Sequence, residues 1–498
     1  MRSLTKWPSS VTLIVLSGLT TGLIATAQPV VAGAVCGLLA LAALIAWVGR
    51  GLPRLALGLI GVCLAGYAFL GKGFAYLGVP PLFVGELALG LGLMAIWPLR
   101  PVAIGRTPVL TALLIVFMLI GAVNTVPFLG EYGVTALRDA TLWAYGLFAL
   151  ITATLLIRLQ WVGAALHRYS RLIPAFLVFA PLSVLLYRLA PGLIPAWPGS
   201  GVPVVFPKGG DLAVHLAGVM AFLMLGLHQP APESGMAMPG PGPAPVAPRP
   251  HQTEVRSGKE WWWWALWLIG SLSVFTGRGA LVTVGASAIA VVLLRPLSRW
   301  GRPLYLTALL LCGLLITDLK VDLGVGRELS VQGLLLNIES VSGDTGTATR
   351  DGSRAWRLEW WNRIIDYTVH GPYFWTGKGY GINLADADGF QVTSDRSLRS
   401  PHNGHMTILA RSGVPGIVSW AALQCTFAVS LLLASWRARR AQRRRQAAVM
   451  IWIFVYWLAF MVNAAFDVFL EGPQGGIWFW CLFGFGLACL ELERREKI

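Results

Sequence analysis

Charge is what this sequence of 498 residues has least of. Asp, Glu, Lys and Arg together make up 12%, about half the ~25% of an average soluble domain. A chain this poor in charge lacks the polar surface a water-soluble fold needs, so that class is excluded. Cysteine is almost as scarce. The six present (Cys36, Cys63, Cys312, Cys425, Cys481, Cys489) all stand inside apolar runs. No disulfide framework and no CxxC metal signature follows from them, and they read as small core hydrophobes. Strand-period alternation is missing, which excludes a membrane β-barrel. Internal repeats are missing as well.

What the chain has instead is apolar length. With 56% hydrophobic residues and a mean hydropathy of +0.66, it offers runs long enough to cross a bilayer, each needing about 20 residues. The runs predict about 14 spans, centred on 11–27, 30–48, 55–70, 81–97, 109–126, 141–157, 172–187, 212–227, 261–276, 280–294, 304–316, 405–434, 447–462 and 477–491. The fold class is therefore all-α, a polytopic transmembrane helical bundle of about 12–14 spans. Val11–Ala27 also resembles a cleavable signal peptide, with Arg2 and Lys6 before it and Ala25-Thr26-Ala27 at its end. An uncleaved first helix is favoured, because Val30–Val48 follows at once as its hairpin partner.

The formal charge of +16 is topological. Every second loop is basic, from Arg2/Lys6 and Arg50/Arg54 through Arg158/Arg168/Arg171 to Arg437–Arg445 and Arg494/Arg495/Lys497. The loops between them hold only Lys72, Arg138, Arg188, Lys208 and Arg278, with Arg411 close by. This is the positive-inside pattern, so both termini are expected in the cytoplasm. No nucleic-acid partner is implied.

Two segments interrupt the spans. Gln229–Glu260, with Pro239-Gly240-Pro241-Gly242-Pro243, has no apolar periodicity and reads as a disordered cytoplasmic linker. It separates an N-terminal transmembrane half (1–228) from a C-terminal half (261–498). Trp261–Trp264 follow it as an interfacial anchor. The second segment, Thr317–Asn403, is a long extracytoplasmic loop with 11 of the 23 acidic residues. Trp356, Trp360, Ile364 and Tyr367 recur there at helical spacing, and Gly371-Pro372 ends that helix. So long an ordered loop carries function more often than not.

The chemistry-bearing residues gather on the same face. His402 and His405 lie in Ser400-Pro401-His402-Asn403-Gly404-His405, where an apolar run re-enters lipid. Imidazole is the side chain suited to moving a proton near neutrality, although a solvated loop histidine is the plainer reading. Thr276-Gly277-Arg278-Gly279 joins two spans, and its guanidinium either binds phosphate bidentately or snorkels to water. Arg138 precedes another span; an internal pair with Asp139 competes with substrate contact there. Arg354 and Arg357 sit on the loop helix. The Gly377-Lys378-Gly379-Tyr380-Gly381 turn lacks P-loop spacing and reads as a tight turn. No paired-aspartate motif stands in a short outer loop, although Asp386 and Asp388 occur in the long one, so a metal is disfavoured.

The segment from Arg354 to Gly381, then His402-Asn403 with Leu409 and Gly413-Val414-Pro415-Gly416, resembles the O-antigen ligase and polymerase superfamily. Thr276-Gly277-Arg278-Gly279-Ala280 is similar to the arginine turn preceding that family's large outer loop. The likeness covers roughly the C-terminal half. It departs at Arg411, where an acidic residue often stands, and in the proline-rich insertion. The resemblance implies a metal-independent GT-C-like glycosyltransferase in the bacterial cytoplasmic (inner) membrane, without cofactor. Its donor would be an undecaprenyl-pyrophosphate-linked glycan and its acceptor a glycan or a lipid A-core-like hydroxyl. His402, or else His405, would be catalytic, and Arg278, with Arg138, Arg354 or Arg357, would bind the pyrophosphate. A polymerase is the nearest alternative; a flippase of lipid-linked sugars is the alternative from another class, and a structural scaffold a third.

The charge pattern generates a test of sidedness. In a cysteine-free background, Ser234→Cys in the linker and Ser342→Cys in the long loop should react oppositely with an impermeant thiol reagent on intact cells. Labelling of both from outside would sink the proposed topology.

Overall fold

A computed structural model describes residues 51–79, 82–97, 107–229, 258–274, 277–294, 321–322, 328–329 and 348–495. The expected spans at 11–27, 30–48 and 304–316, nearly all of the linker and the first part of the long loop lie outside the described residues.

The remaining expected spans each fall on helix. Among the described residues the α-helices longer than five residues are, in chain order, α1 (Leu52–Leu70), α2 (Val84–Ile96), α3 (Pro108–Val123), α4 (Val134–Ala144), α5 (Gly146–Leu159) and α6 (Val162–Leu189). They continue as α7 (Gly209–Met224), α8 (Gly258–Val274), α9 (Arg278–Leu294), α10 (Ala348–Thr368), α11 (Gly404–Arg440), α12 (Arg444–Ala464) and α13 (Pro473–Arg495). Among the described residues, six helices are long and apolar enough to cross a membrane, or seven with the bent α4–α5 pair as one. Strands among the described residues amount to two two-stranded antiparallel pairs. The protein is a polytopic helical membrane protein.

Three helices differ from their expected bounds, each for a local reason. The span expected at 141–157 is broken at Tyr145 into α4 and α5, which meet at 47°. α6 runs to 28 residues through Pro174 and Pro181, tolerated because neighbouring helices can satisfy the freed backbone groups. α11 is kinked at Gly413 (φ 64°), a left-handed conformation that glycine alone adopts without strain.

The bundle is organised around α12 and α13. α13 packs along α5 and α12 against α7, α9 and α11, and 78% and 94% of the apolar windows of α12 and α13 are buried. Close approach is built in: a Cβ on Gly484 would stand 2.4 Å from Ala149 O, and one on Gly218 2.7 Å from the Tyr456 ring. Small residues let membrane helices gain dispersion contact where lipid supplies no hydrophobic drive. Indole N–H groups bridge helices, Trp452 Nε1 donating to Gly218 O at 3.0 Å and Trp478 Nε1 to Leu64 O at 2.7 Å. A buried indole donor needs such a partner.

The described part of the long loop folds on a small core of its own, with Trp360, Ile364, Leu384 and Leu409 buried. Trp360 stacks on Phe390 and donates to Asp388 Oδ2 at 2.7 Å. Lys378 pairs with Asp388 and lies 4.3 Å from the centroid of the Tyr367 ring.

The glycine turn docks this unit onto α11. Lys378 N donates to Ala410 O at 2.7 Å and Gly379 N to Arg411 O at 3.1 Å, so those N–H groups are spent on protein. Beside them Asp139 of α4 accepts from Arg411 Nη2 (2.9 Å), Arg399 Nη2 (3.0 Å) and Gly381 N (3.2 Å). The partners of Asp139 are therefore Arg399 and Arg411, whereas the sequence suggested Arg138.

Removing one member of a buried charge cluster strands the others, at roughly 3–5 kcal/mol. Asp139→Asn should lower the melting temperature in detergent markedly, while Arg138→Ala, at an exposed position, should stay within about 0.5 kcal/mol. Equal melting of both variants would remove the clamp from the account of stability.

Candidate active site

At the end of the bundle that carries the loop unit lies a cavity of about 480 Å³. Its wall is drawn from five separate segments. Gly277, Arg278 and Gly279 come from the start of α9, Arg354, Arg357 and Trp361 from α10, and His402 from the loop before α11. Lys208 and Gly210 come from the start of α7, and Asn463, Phe466 and Asp467 from the end of α12. Of the six residues expected from the sequence, four converge here: His402, Arg278, Arg354 and Arg357.

His402 is held in an unusual backbone state, with φ 52°. A non-glycine residue there is uncommon, although histidine is among the types that accept it, and such strain concentrates at functional sites. Its neighbours pin it from both sides. Trp361 Nε1 donates to Pro401 O at 3.0 Å, and the Asn403 side chain caps α11 by accepting from His405 N and Met406 N. The imidazole, about a third exposed, has Nδ1 3.9 Å from Asp467 Oδ1. That is too long for a hydrogen bond and becomes an ion pair only when the imidazole carries a proton.

Asp467 is the residue that sequence reasoning missed. It accepts from Lys208 Nζ at 3.0 Å and from its own neighbour Val468 N at 2.8 Å. Burial works to raise its carboxyl, but His402, the Lys208 ammonium and the Val468 amide outweigh that and hold it well below the usual carboxylate range. Burial lowers the Arg357 guanidinium and the nearby Arg278 charge adds to the effect, with Asp467 opposing both. Arg357 Nη1 also donates to Phe466 O at 3.3 Å. Its only signal in the sequence is a lone aspartate in a short loop, unlike a paired-aspartate motif, and Lys208 reads there as one of the sparse cations of the less basic loops.

His405 and Arg138 do not line the cavity. His405 Nε2 lies 3.0 Å from Met461 O, and its Nδ1 accepts from Trp420 Nε1 at 3.2 Å. Both ring nitrogens are thus engaged, in the pattern of one neutral tautomer. Arg138 is exposed, and its carbonyl accepts from Thr141 Oγ1. Among the described residues no three His, Cys, Asp or Glu side chains come together as metal ligands would. A second cavity, of about 460 Å³, lies between α1, α6, α7 and α13 and is lined almost wholly by apolar side chains. It offers no comparable set of cations.

Chemically, the first cavity brings guanidinium groups, an ammonium, two helix N-termini and one imidazole to a shared space. That is a seat for a multiply charged anion beside a proton acceptor. Residues 264–421, which include Arg278, Arg354, Arg357 and His402, match the family model described as O-antigen ligase. No curated protein matches the chain.

The geometry assigns His405 to packing. His405→Ala should cost roughly 1–3 kcal/mol, because it leaves the buried Trp420 N–H and Met461 carbonyl unpaired. Melting should move while the folded fraction keeps its activity. A variant that melts normally but is inactive would restore His405 as a chemical group.

Proposed function

We propose that this chain, whose residues 264–421 match the family model described as O-antigen ligase, is a glycosyltransferase of the extracytoplasmic face. It would move a glycan from an undecaprenyl-pyrophosphate carrier to an acceptor hydroxyl. The observation that carries this reading is the convergence of Arg278, Arg354, Arg357 and His402 on one cavity from segments far apart in sequence.

In the proposed step the acceptor O–H gives its proton to the neutral His402 imidazole as its oxygen forms a bond to the anomeric carbon. The carbon–oxygen bond to the diphosphate breaks, and the lipid diphosphate leaves with that electron pair. Charge gathers on the leaving oxygen in the transition state, where preorganised cations stabilise it most. Lys208, Arg278 and Arg357 supply them. Asp467 faces His402 and stabilises the imidazolium once formed. A transporter reading is less well supported, because such proteins bind substrate near the bilayer midplane, whereas this cavity is built from helix ends and loops.

The reaction is tested with purified protein in lipid, given labelled undecaprenyl-pyrophosphate glycan and candidate acceptors. Label on a lipid A-core-like acceptor identifies a ligase, and longer carrier-linked chains a polymerase. Label remaining on unextended donor under every condition would refute the transferase.

His402→Ala should lower transfer by ~10²–10⁴-fold, the usual contribution of a positioned base, with donor binding nearly unchanged. Arg278→Lys should bind donor more weakly, turn over more slowly, or both, since lysine keeps the charge but loses the bidentate fork. Wild-type kinetics in both variants would remove these residues from the chemistry.

A further inference from the structure

One polar group on the cavity wall has no protein partner. Asn463 is 1% exposed, and its Nδ2 makes no hydrogen bond among the described residues. Its backbone is fixed, with the carbonyl accepting from Phe466 N at 2.9 Å and Asp467 N at 3.0 Å where α12 ends. The amide is also given room: a Cβ on Gly210 would stand 2.8 Å from Asn463 Oδ1. A buried donor left unpaired costs about 1–3 kcal/mol, so one maintained on a cavity wall points to an acceptor carried by a ligand.

The surroundings of Asn463 define that acceptor. Beside it begins α7, whose N-terminus has no side-chain cap, and Lys208 stands at that end. A helix start offers unpaired N–H groups and a positive end of the dipole. α9 also begins on the cavity wall, with Gly277, Arg278 and Gly279 and no acidic residue in its first turn. Asp211, in the first turn of α7, is buried and does not line the cavity. Asp467, the carboxylate on the wall, is already engaged by Lys208 and Val468 N. Donors and positive charge outnumber acceptors in this corner, which suits a phosphate better than a sugar hydroxyl.

We infer that Asn463 Nδ2, the N-terminus of α7 and Lys208 form a seat for one phosphate of the substrate diphosphate. The other phosphate lies at the N-terminus of α9 with Arg278. The inference rests on the proposed function and adds a division of labour, one helix N-terminus for each phosphate. Asn463 is then the residue that lets the cavity distinguish a diphosphate from a monophosphate.

The test uses full-length protein in lipid, with inorganic pyrophosphate and inorganic phosphate as inhibitors of transfer. Wild type should be inhibited more strongly by pyrophosphate. Asn463→Leu, similar in volume but without a donor, should weaken pyrophosphate inhibition on the order of tenfold, the effect of one hydrogen bond to a charged group. Phosphate inhibition should change much less, so the preference collapses, and the KM for donor should rise with the same sense. Gly210→Ala, which displaces the amide without removing it, should reproduce the effect. If Asn463→Leu fails to fold, Asn463→Asp keeps the shape and should lose pyrophosphate inhibition still more completely.

A folded Asn463 variant that keeps the full preference for pyrophosphate, while Arg278→Ala loses it, would overturn the inference and leave the transferase intact. A wild type that neither transfers glycan nor responds to pyrophosphate would take both down together.

Discussion

Hydrocarbon cannot hydrogen-bond a peptide group, and the rest of this structure depends on that constraint. Backbone that crosses the membrane must be helical, so irregular chain and the chemistry it supports are confined to helix ends. α7 makes the consequence concrete. With 16 residues at 1.5 Å each it is about 24 Å long, short of the ~30 Å hydrocarbon core. It packs against α8, α9 and α12, of which α12 is longer, with 21 residues. A helix shorter than the one it packs on leaves a recess at its end, and Lys208 and Gly210 at the start of α7 line that recess. The field of that helix and the charge of Lys208 then point into a space already partly shielded from water.

The recess becomes a site because the loop unit is fastened across it by charge. Asp139 holds Arg411 on α11, Arg399 three residues before His402, and the amide of Gly381 at the end of the glycine turn. A single carboxylate thereby ties α4, the loop core and α11 together. Gly377 could not carry a side chain in this joint, since a Cβ there would lie 2.4 Å from the Arg411 carbonyl carbon. Within that frame the strained backbone of His402 is over-determined, by Arg399 upstream, by the Trp361 bond to Pro401 and by the Asn403 cap downstream.

The spans were legible in the sequence because lipid writes a strong composition signal over ~20 residues. The loop helix was legible because Trp356, Trp360, Ile364 and Tyr367 recur at helical period and a Gly-Pro stop follows. Arg278 and His402 could be picked out because each is polar next to lipid, where polarity is costly. The break at Tyr145 left no comparable mark, with no proline beside it and apolar residues on both sides. Asp467 and Asn463 were invisible for another reason. Each is an isolated polar residue at the end of a span, and its meaning comes from Lys208 and Gly210, more than 200 positions away. His405 misled by proximity, since three residues along the chain carried it from the loop into the helix packing.

If His402 is the base proposed above, a carboxylate beside it has a clear part to play. At an effective dielectric near 20, two unit charges 4 Å apart interact by about 4 kcal/mol. An imidazole in a cavity also lined by Arg278, Arg354 and Arg357 would be repelled by them on accepting a proton, and a poor proton acceptor is a poor base. Asp467, 3.9 Å from His402 Nδ1 and held strongly ionised, offsets the repulsion at the moment the imidazolium forms. The same carboxylate balances Lys208 while the cavity is empty. A diphosphate in the cavity would add its own negative charge to that of Asp467 at His402. On the proposed mechanism, substrate binding would then favour proton transfer, because the imidazolium forms beside both anions.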